Sequence, residues 1–157
     1  MELYELSKRL GVALLSKGYT ISTVEECTCG LLGATIASVE YPERWYKGTM
    51  TAYTKEVVNK VLGVPSYIIE KNDFVSSQVA QQMAIESLYK FESDISIGVV
   101  GYTDSIDGEA QICVAKMHND GLKFAFNKVK LDGEKVSDNI EKIIGEAIRT
   151  AIELIIE

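Results

Sequence analysis

The stretch that most constrains the fold is Ile95-Ser96-Ile97-Gly98-Val99-Val100. A short, nearly continuous apolar run of this kind suits a strand buried on both faces, and such a strand needs helices above and below its sheet. The flanking sequence supplies them. Leu3, Leu6, Leu10, Ala13 and Leu14 recur at helical spacing, with Gly18 placed to end that helix, and Ser76 is placed to cap a helix running to Phe91. Val136, Ile140, Ile143, Ile144, Ala147 and Ile148 begin the apolar stripe of a last helix. Thr20 to Val24 alternates as a strand does, Gly48 to Tyr53 reads as a second strand, and Lys55 to Leu62 as a short helix that Gly63 and Pro65 terminate. Strands at 110–117 and 122–131 flank His118-Asn119-Asp120-Gly121, a turn sequence suited to a hairpin. The expected fold is α/β: one layered domain over residues 1–157, a mixed, mostly parallel sheet flanked by helices, then a C-terminal antiparallel hairpin and a final helix.

With 157 residues of which 46% are hydrophobic, the chain has enough apolar surface for one core, which argues against a disordered or fibrous chain. The 16 basic and 23 acidic residues leave a net charge of -7, a surface that repels phosphate backbones and anionic lipid, so neither nucleic acid nor membrane is an expected partner. Cys27, Cys29 and Cys113 are odd in number and include a C-x-C, which reads as reduced thiols. No basic-then-apolar leader opens the sequence and no run of about 18 apolar residues crosses it, so the expected location is the cytoplasm. The lone His118 leaves a Ser–His–Asp triad or a multi-histidine metal site without its histidines, and no metal or cofactor is expected.

Ligands of open α/β sheets bind where strands lead into helix N-termini, and three such loops stand out. The first, Glu25-Glu26-Cys27-Thr28-Cys29-Gly30, offers backbone N–H groups, a hydroxyl, two thiols and two adjacent carboxylates. Those acids either hold a cation or polar ligand, share a raised pKa, or complement the helix dipole from solvent. The thiols are either nucleophiles at a helix start or small packing residues. The second loop is Tyr53-Thr54-Lys55-Glu56, and the third is the polar run from Gly101, Tyr102, Thr103 and Asp104 to Gly108. Each of these lines a pocket or is an ordinary exposed connection.

The order of the loops resembles the C-terminal domain of the CinA family, over nearly the whole chain. The family signature A-E-S-C-T-G-G corresponds to Val24-Glu25-Glu26-Cys27-Thr28-Cys29-Gly30, and Y-S-N-E-A-K to Tyr53-Thr54-Lys55-Glu56-Val57-Val58. The leucine-glycine-valine step falls on Leu62-Gly63-Val64, A-V-S-E-x-V-A on Phe74 to Ala80, and V-T-G-I-A-G-P on the stretch from Val99 to Ser105. The resemblance implies nicotinamide-nucleotide amidohydrolase chemistry, in which a lysine activates a serine against the carboxamide of nicotinamide mononucleotide. Aligned without gaps, that serine falls on Glu26 and that lysine on Val58. Glu25, Cys27, Thr28, Gly30, Tyr53, Glu56 and Gly101 match. The family's arginine-rich segment has no counterpart around Leu131 to Asp138, and Asp104 and Asp107 stand where an anionic phosphate would be held.

The reading that follows is a catalytically degenerate CinA-like protein acting as a binding, regulatory or assembly module, with a nicotinamide-nucleotide-like small molecule as the implied ligand. Its degenerate catalytic positions are Glu26, Cys27 and Thr28. Glu25, Cys29, Gly30, Tyr53, Lys55, Glu56, Gly101, Tyr102 and Thr103 are its expected pocket. One alternative is a rebuilt amidohydrolase with Cys27 or Thr28 as nucleophile, Glu25 or Glu26 as base and Lys55 approaching from one helical turn away. A further alternative is an unrelated ligand or partner on the same fold. Homo-oligomers are expected, from the resemblance and from the aromatic run containing Tyr41, Trp45 and Tyr46.

Overall fold

The computed structural model describes residues 2–104, 107–133 and 135–157, so Ser105 and Ile106 of the third loop lie outside the described residues. Helix α1 (Leu3–Lys17) buries Leu6, Leu10 and Leu14 and stops where Gly18 takes a left-handed conformation, its N–H returning to the Leu14 and Leu15 carbonyls. Strand β1 (Ile21–Glu25), α2 (Leu31–Ile36), one 3-10 turn (Pro42–Arg44), β2 (Tyr46–Thr51), α3 (Lys55–Lys60) and α4 (Ser66–Lys71) follow. Then come α5 (Ser77–Phe91), capped by the Ser76 hydroxyl as its position predicts, β3 (Ile95–Gly101), β4 (Glu109–His118), β5 (Gly121–Lys130) and α6 (Val136–Ile156).

The five strands lie in the order β2-β1-β3-β4-β5. Strands β2, β1 and β3 are parallel, and β4 pairs antiparallel with both β3 and β5, so β4 alone runs against the others. Strand β3 is central and buried along its whole length, the position its apolar run demands. Its alternate side chains feed two cores. Ile95, Ile97 and Val99 join Leu10, Leu14 and Ile148 beneath α1 and α6, whereas Val100 joins Val58, Met83 and Cys113 beneath α3 and α5. Among the described residues no helix is long and apolar enough to cross a membrane.

Gly98 sits where α5 crosses β3. A Cβ there would collide with the Ala80 carbonyl oxygen and stand 2.8 Å from the Ala84 nitrogen, both backbone atoms that cannot swing aside. Gly98→Ala is therefore expected to destabilise the protein by about 2 kcal/mol, measured by urea unfolding, because it overpacks a contact that only backbone movement relieves.

Three details depart from the sequence reading. Strand β2 begins two residues earlier and ends at Thr51, which leaves Tyr53 in the following loop. Helix α3 stops at Lys60, two residues short of the expected Leu62, and Pro65 occupies the N-cap position of α4, whose Ile68 and Ile69 are partly buried against α5 and its core. Finally, Trp45 is not part of an exposed aromatic cluster: it is buried against α1, where Gly11 leaves room for its ring, and Tyr46 is half-buried beside it. Of the three rings only Tyr41 is exposed.

Candidate functional site

The first loop leaves β1 at the end where β3 also finishes. Glu25, the last residue of β1, is fully buried. Its Oε1 accepts from the Thr28 hydroxyl at 2.5 Å and from the Gly30 and Leu32 N–H groups at 3.0 Å each. Its Oε2 accepts from the Gly33 N–H at 2.8 Å, the Thr49 hydroxyl at 2.8 Å and the Thr23 hydroxyl at 3.1 Å. Glu25 thus complements the start of α2 from inside the protein, where no solvent competes.

The rest of the turn also closes on itself. The Cys29 N–H donates to the Glu26 carbonyl and the Leu31 N–H to the Thr28 carbonyl. Cys29 and Gly30 take successive left-handed conformations (φ 48° and 89°), a costly geometry for the cysteine that aims the chain into α2. The backbone donors that a ligand would use at Gly30 are therefore already committed to Glu25.

Glu26 has a different environment. It is 5% exposed, its N–H donates to the Val99 carbonyl, and its Oε1 accepts from the Gly101 N–H at 3.0 Å. Burial outweighs these donors and pushes its pKa up to about 7, while the Gly101 and Cys27 N–H groups pull the other way. Near neutral pH this carboxyl exchanges a proton readily. The exposed Tyr53 stands close enough that the Glu26 charge is the main cause of its raised pKa, with Cys29 and Asp104 contributing in the same direction.

The other expected site residues divide between core and solvent. Cys27 is 3% exposed within the α1/α6 core; burial first, and then the Glu26 charge, push its thiol far above the ordinary range. A thiol so placed stays protonated and is a poor nucleophile. Thr28 is buried with its hydroxyl donated to Glu25, which leaves it equally unsuited to attack. Gly101 is packed too tightly for any side chain, since a Cβ would approach the Cys27 sulfur to 3.0 Å. Thr103 is buried, whereas Tyr102, Asp104 and Cys29 are exposed. Lys55 and Glu56 lie in solvent on α3, and Glu56 pairs with Lys60 at 3.0 Å. Glu26, Tyr53 and the exposed rim of Cys29 and Asp104 are brought together; Lys55 and Glu56 are not shown to join them.

Two supporting residues escaped the sequence reading. Thr49 of β2 reaches Glu25, and Asn139 of α6 donates to the Thr103 carbonyl at 3.1 Å while accepting from the Gly133 N–H at 2.9 Å. Asn139 was legible only as a polar residue near a helix start, and its burial was not. A cavity of about 690 Å³ lies away from these loops, between Leu3 and Tyr4 of α1 and Lys142 and Arg149 of α6. Among the described residues no three His, Cys, Asp or Glu side chains converge to hold a metal.

Comparison with known proteins places this geometry. A "CinA-like protein" from Flavobacterium psychrophilum is 38% identical over 101 residues, covering 64% of this chain and 24% of that protein. A "nicotinamide-nucleotide amidohydrolase PncC" from Enterobacter agglomerans is 30% identical over 109 residues, 69% of this chain and 66% of that protein. The matched stretch is about a quarter of the length of the CinA-like relative. The crystal structure of a competence or damage-inducible protein from Enterobacter asburiae shares the fold, with a TM-score of 0.91, 22% identity and 99% of both chains covered. The sequence model of the CinA C-terminal domain matches residues 3–157, and this chain, whose β1–α2 turn is held by an internal carboxylate, belongs to the CinA C-terminal domain family.

Proposed function

We propose that the chain is a CinA-like domain that has lost serine–lysine amide hydrolysis and serves as a binding, regulatory or assembly module. The observation that carries this reading is the pair of residues at the two positions the dyad would occupy. Glu26 is an acceptor bound to the Gly101 N–H, and Val58 is wholly buried among Val24, Ala52 and Leu62. Amide hydrolysis by such a dyad requires a hydroxyl oxygen that gives its proton to an amine as it attacks the carboxamide carbon; the tetrahedral adduct expels ammonia, which takes that proton, and leaves an acyl ester that water cleaves to the carboxylate and the free hydroxyl. Neither the hydroxyl nor the amine is supplied at these positions, and the burial of Cys27 and Thr28 supports the absence of a nearby substitute.

The test is ammonia release from nicotinamide mononucleotide. The native chain is expected to match a protein-free blank, and the Glu26→Ser, Val58→Lys double variant to rise above it. A native rate in the enzymatic range would overturn the reading. A second reading rests on the Glu26 pKa of about 7: a rebuilt enzyme in which Glu26 acts as a general base on water. It requires that native activity appear and that Glu26→Gln abolish it.

A further inference from the structure

Glu25 and Glu26 are adjacent and both buried, yet they are served very differently. Three hydroxyls and three N–H groups converge on Glu25. Glu26 accepts one hydrogen bond, from the Gly101 N–H to Oε1, with the Cys27 N–H turned toward the same carboxyl. Among the described residues no side chain donates to Glu26 and no lysine or arginine pairs with it. No hydrogen bond reaches Oε2, although among the described residues no side-chain polar atom sealed from solvent lacks a partner. Oε2 is therefore the atom by which Glu26, 5% exposed, meets the surface. A carboxylate this deep with one donor and no counter-charge is costly to ionise, and a cation arriving from outside would remove that cost.

The surroundings favour a cation over an anion. The Gly30, Leu32 and Gly33 N–H groups are committed to Glu25 and that of Gly101 to Glu26, which leaves an anion few donors at the turn. The exposed Tyr53 feels the Glu26 charge, and Cys29 and the exposed Asp104 act on the same phenol. A cation at Oε2 thus meets an open carboxylate oxygen, a second acid and an aromatic ring. A guanidinium suits these three better than an ammonium does. It is planar, more weakly hydrated and so cheaper to bring to a recessed oxygen, and it can donate to Oε2 while its face lies against the ring.

We infer that Glu26 Oε2, with Tyr53 and Asp104 at its mouth, is the anchor of a site for a small molecule bearing a guanidinium or amidinium group. The inference rests on the reading of the chain as a binding module and gives the ligand's charge, opposite in sign to the nucleotide phosphate that the family resemblance implies.

Binding of a cation holds Glu26 ionised, so it expels the proton that burial retains up to about pH 7, and affinity rises as pH passes upward through that value. Tyr53, kept protonated chiefly by the Glu26 charge, and Cys27, kept so chiefly by burial, stay neutral there; Glu25, Cys29 and Asp104 are the other titratable groups around the carboxyl. The guanidinium keeps its charge throughout.

The probe is butylguanidinium, titrated into the native chain in about 0.15 M salt and followed by the amide NMR shifts of Gly101 and Tyr53. Saturable shifts are expected, half-complete at about 1 mM at pH 8. Affinity is expected to fall about tenfold at pH 6, where about a tenth of the Glu26 carboxyls are ionised. Glu26→Gln, which keeps an oxygen for the Gly101 N–H, is expected to weaken binding by at least about tenfold, and Tyr53→Ala, at an exposed loop position, by about threefold. Tetramethylammonium, which is charged but has no N–H, is expected not to displace the probe. Shifts that do not saturate by about 50 mM at pH 8 overturn the inference. So does an affinity that is flat or rises toward acid, one unchanged in Glu26→Gln or in Tyr53→Ala, or displacement by an equal concentration of tetramethylammonium. The titration reads binding without turnover, so its failure leaves the loss of amide hydrolysis standing, whereas ammonia release from nicotinamide mononucleotide overturns that underlying reading and is seen in its own assay.

Discussion

Glu25→Ala is expected to lower stability by about 4 kcal/mol, and the melting temperature by about 10 °C. The substitution leaves three N–H donors at the start of α2 and the hydroxyls of Thr23, Thr28 and Thr49 facing a void with no acceptor. Each donor stripped of its partner in a buried site retains its desolvation cost, which is why the total exceeds that of an ordinary surface cap. Water entering the space offsets part of this, so the loss is smaller than the sum of six separate bonds. Glu25→Gln is expected to fall between native and alanine. It keeps a carbonyl acceptor but turns an NH2 group toward other donors. Thermal unfolding of the three proteins, with far-UV circular dichroism to confirm the native fold, checks the order; equal melting temperatures for native and Glu25→Ala would refute the keystone role of this carboxylate.

Glu26→Gln is expected to stabilise the protein at pH 8 by about 3 kcal/mol and to leave it nearly unchanged at pH 4. Burial raises the folded-state pKa of Glu26 from 4.5 to about 7. Between those values the folded chain holds the proton more tightly than the unfolded chain does. Its contribution to stability therefore falls as pH rises from about 4.5 to about 7, and the full penalty of a buried charge is present above that window. Glutamine keeps an oxygen for the Gly101 N–H and carries no charge to desolvate. The measurement is the difference between native and Glu26→Gln unfolding free energies across this pH range. The difference cancels the opposite trend of carboxylates elsewhere. A flat difference, or one that grows toward acid, would rule out the raised pKa.

These two adjacent acids illustrate how far the candidate site was legible. The dipeptide and its place before a helix marked an unusual loop, and a raised pKa was among the readings. Which acid carries it was not visible, because the answer depends on atoms brought in from elsewhere. Thr49 from β2 and the N–H groups of α2 converge on Glu25, whereas Glu26 faces the end of β3 and receives one side-chain-directed bond from Gly101. The sequence left Cys27 as either a nucleophile or a small packing residue and offered the Thr28 hydroxyl to a ligand. The same strand-end geometry turns the thiol into the α1/α6 core and commits the hydroxyl to Glu25.

By itself the sequence determined the layered α/β architecture, the central strand, the Gly18 and Ser76 boundaries and the hairpin at His118 to Gly121. Those features follow from apolar periodicity and local turn chemistry, which act between residues close in the chain. Only the tertiary structure decided that Trp45 fills the space over Gly11, that Pro65 opens a helix beyond the end of α3, and that Asn139 fastens Thr103. It also decided that β5 lies at an edge of the sheet. Each of these depends on which distant residues share a face or a ladder, and burial of a polar group is set by those long-range neighbours rather than by its own identity.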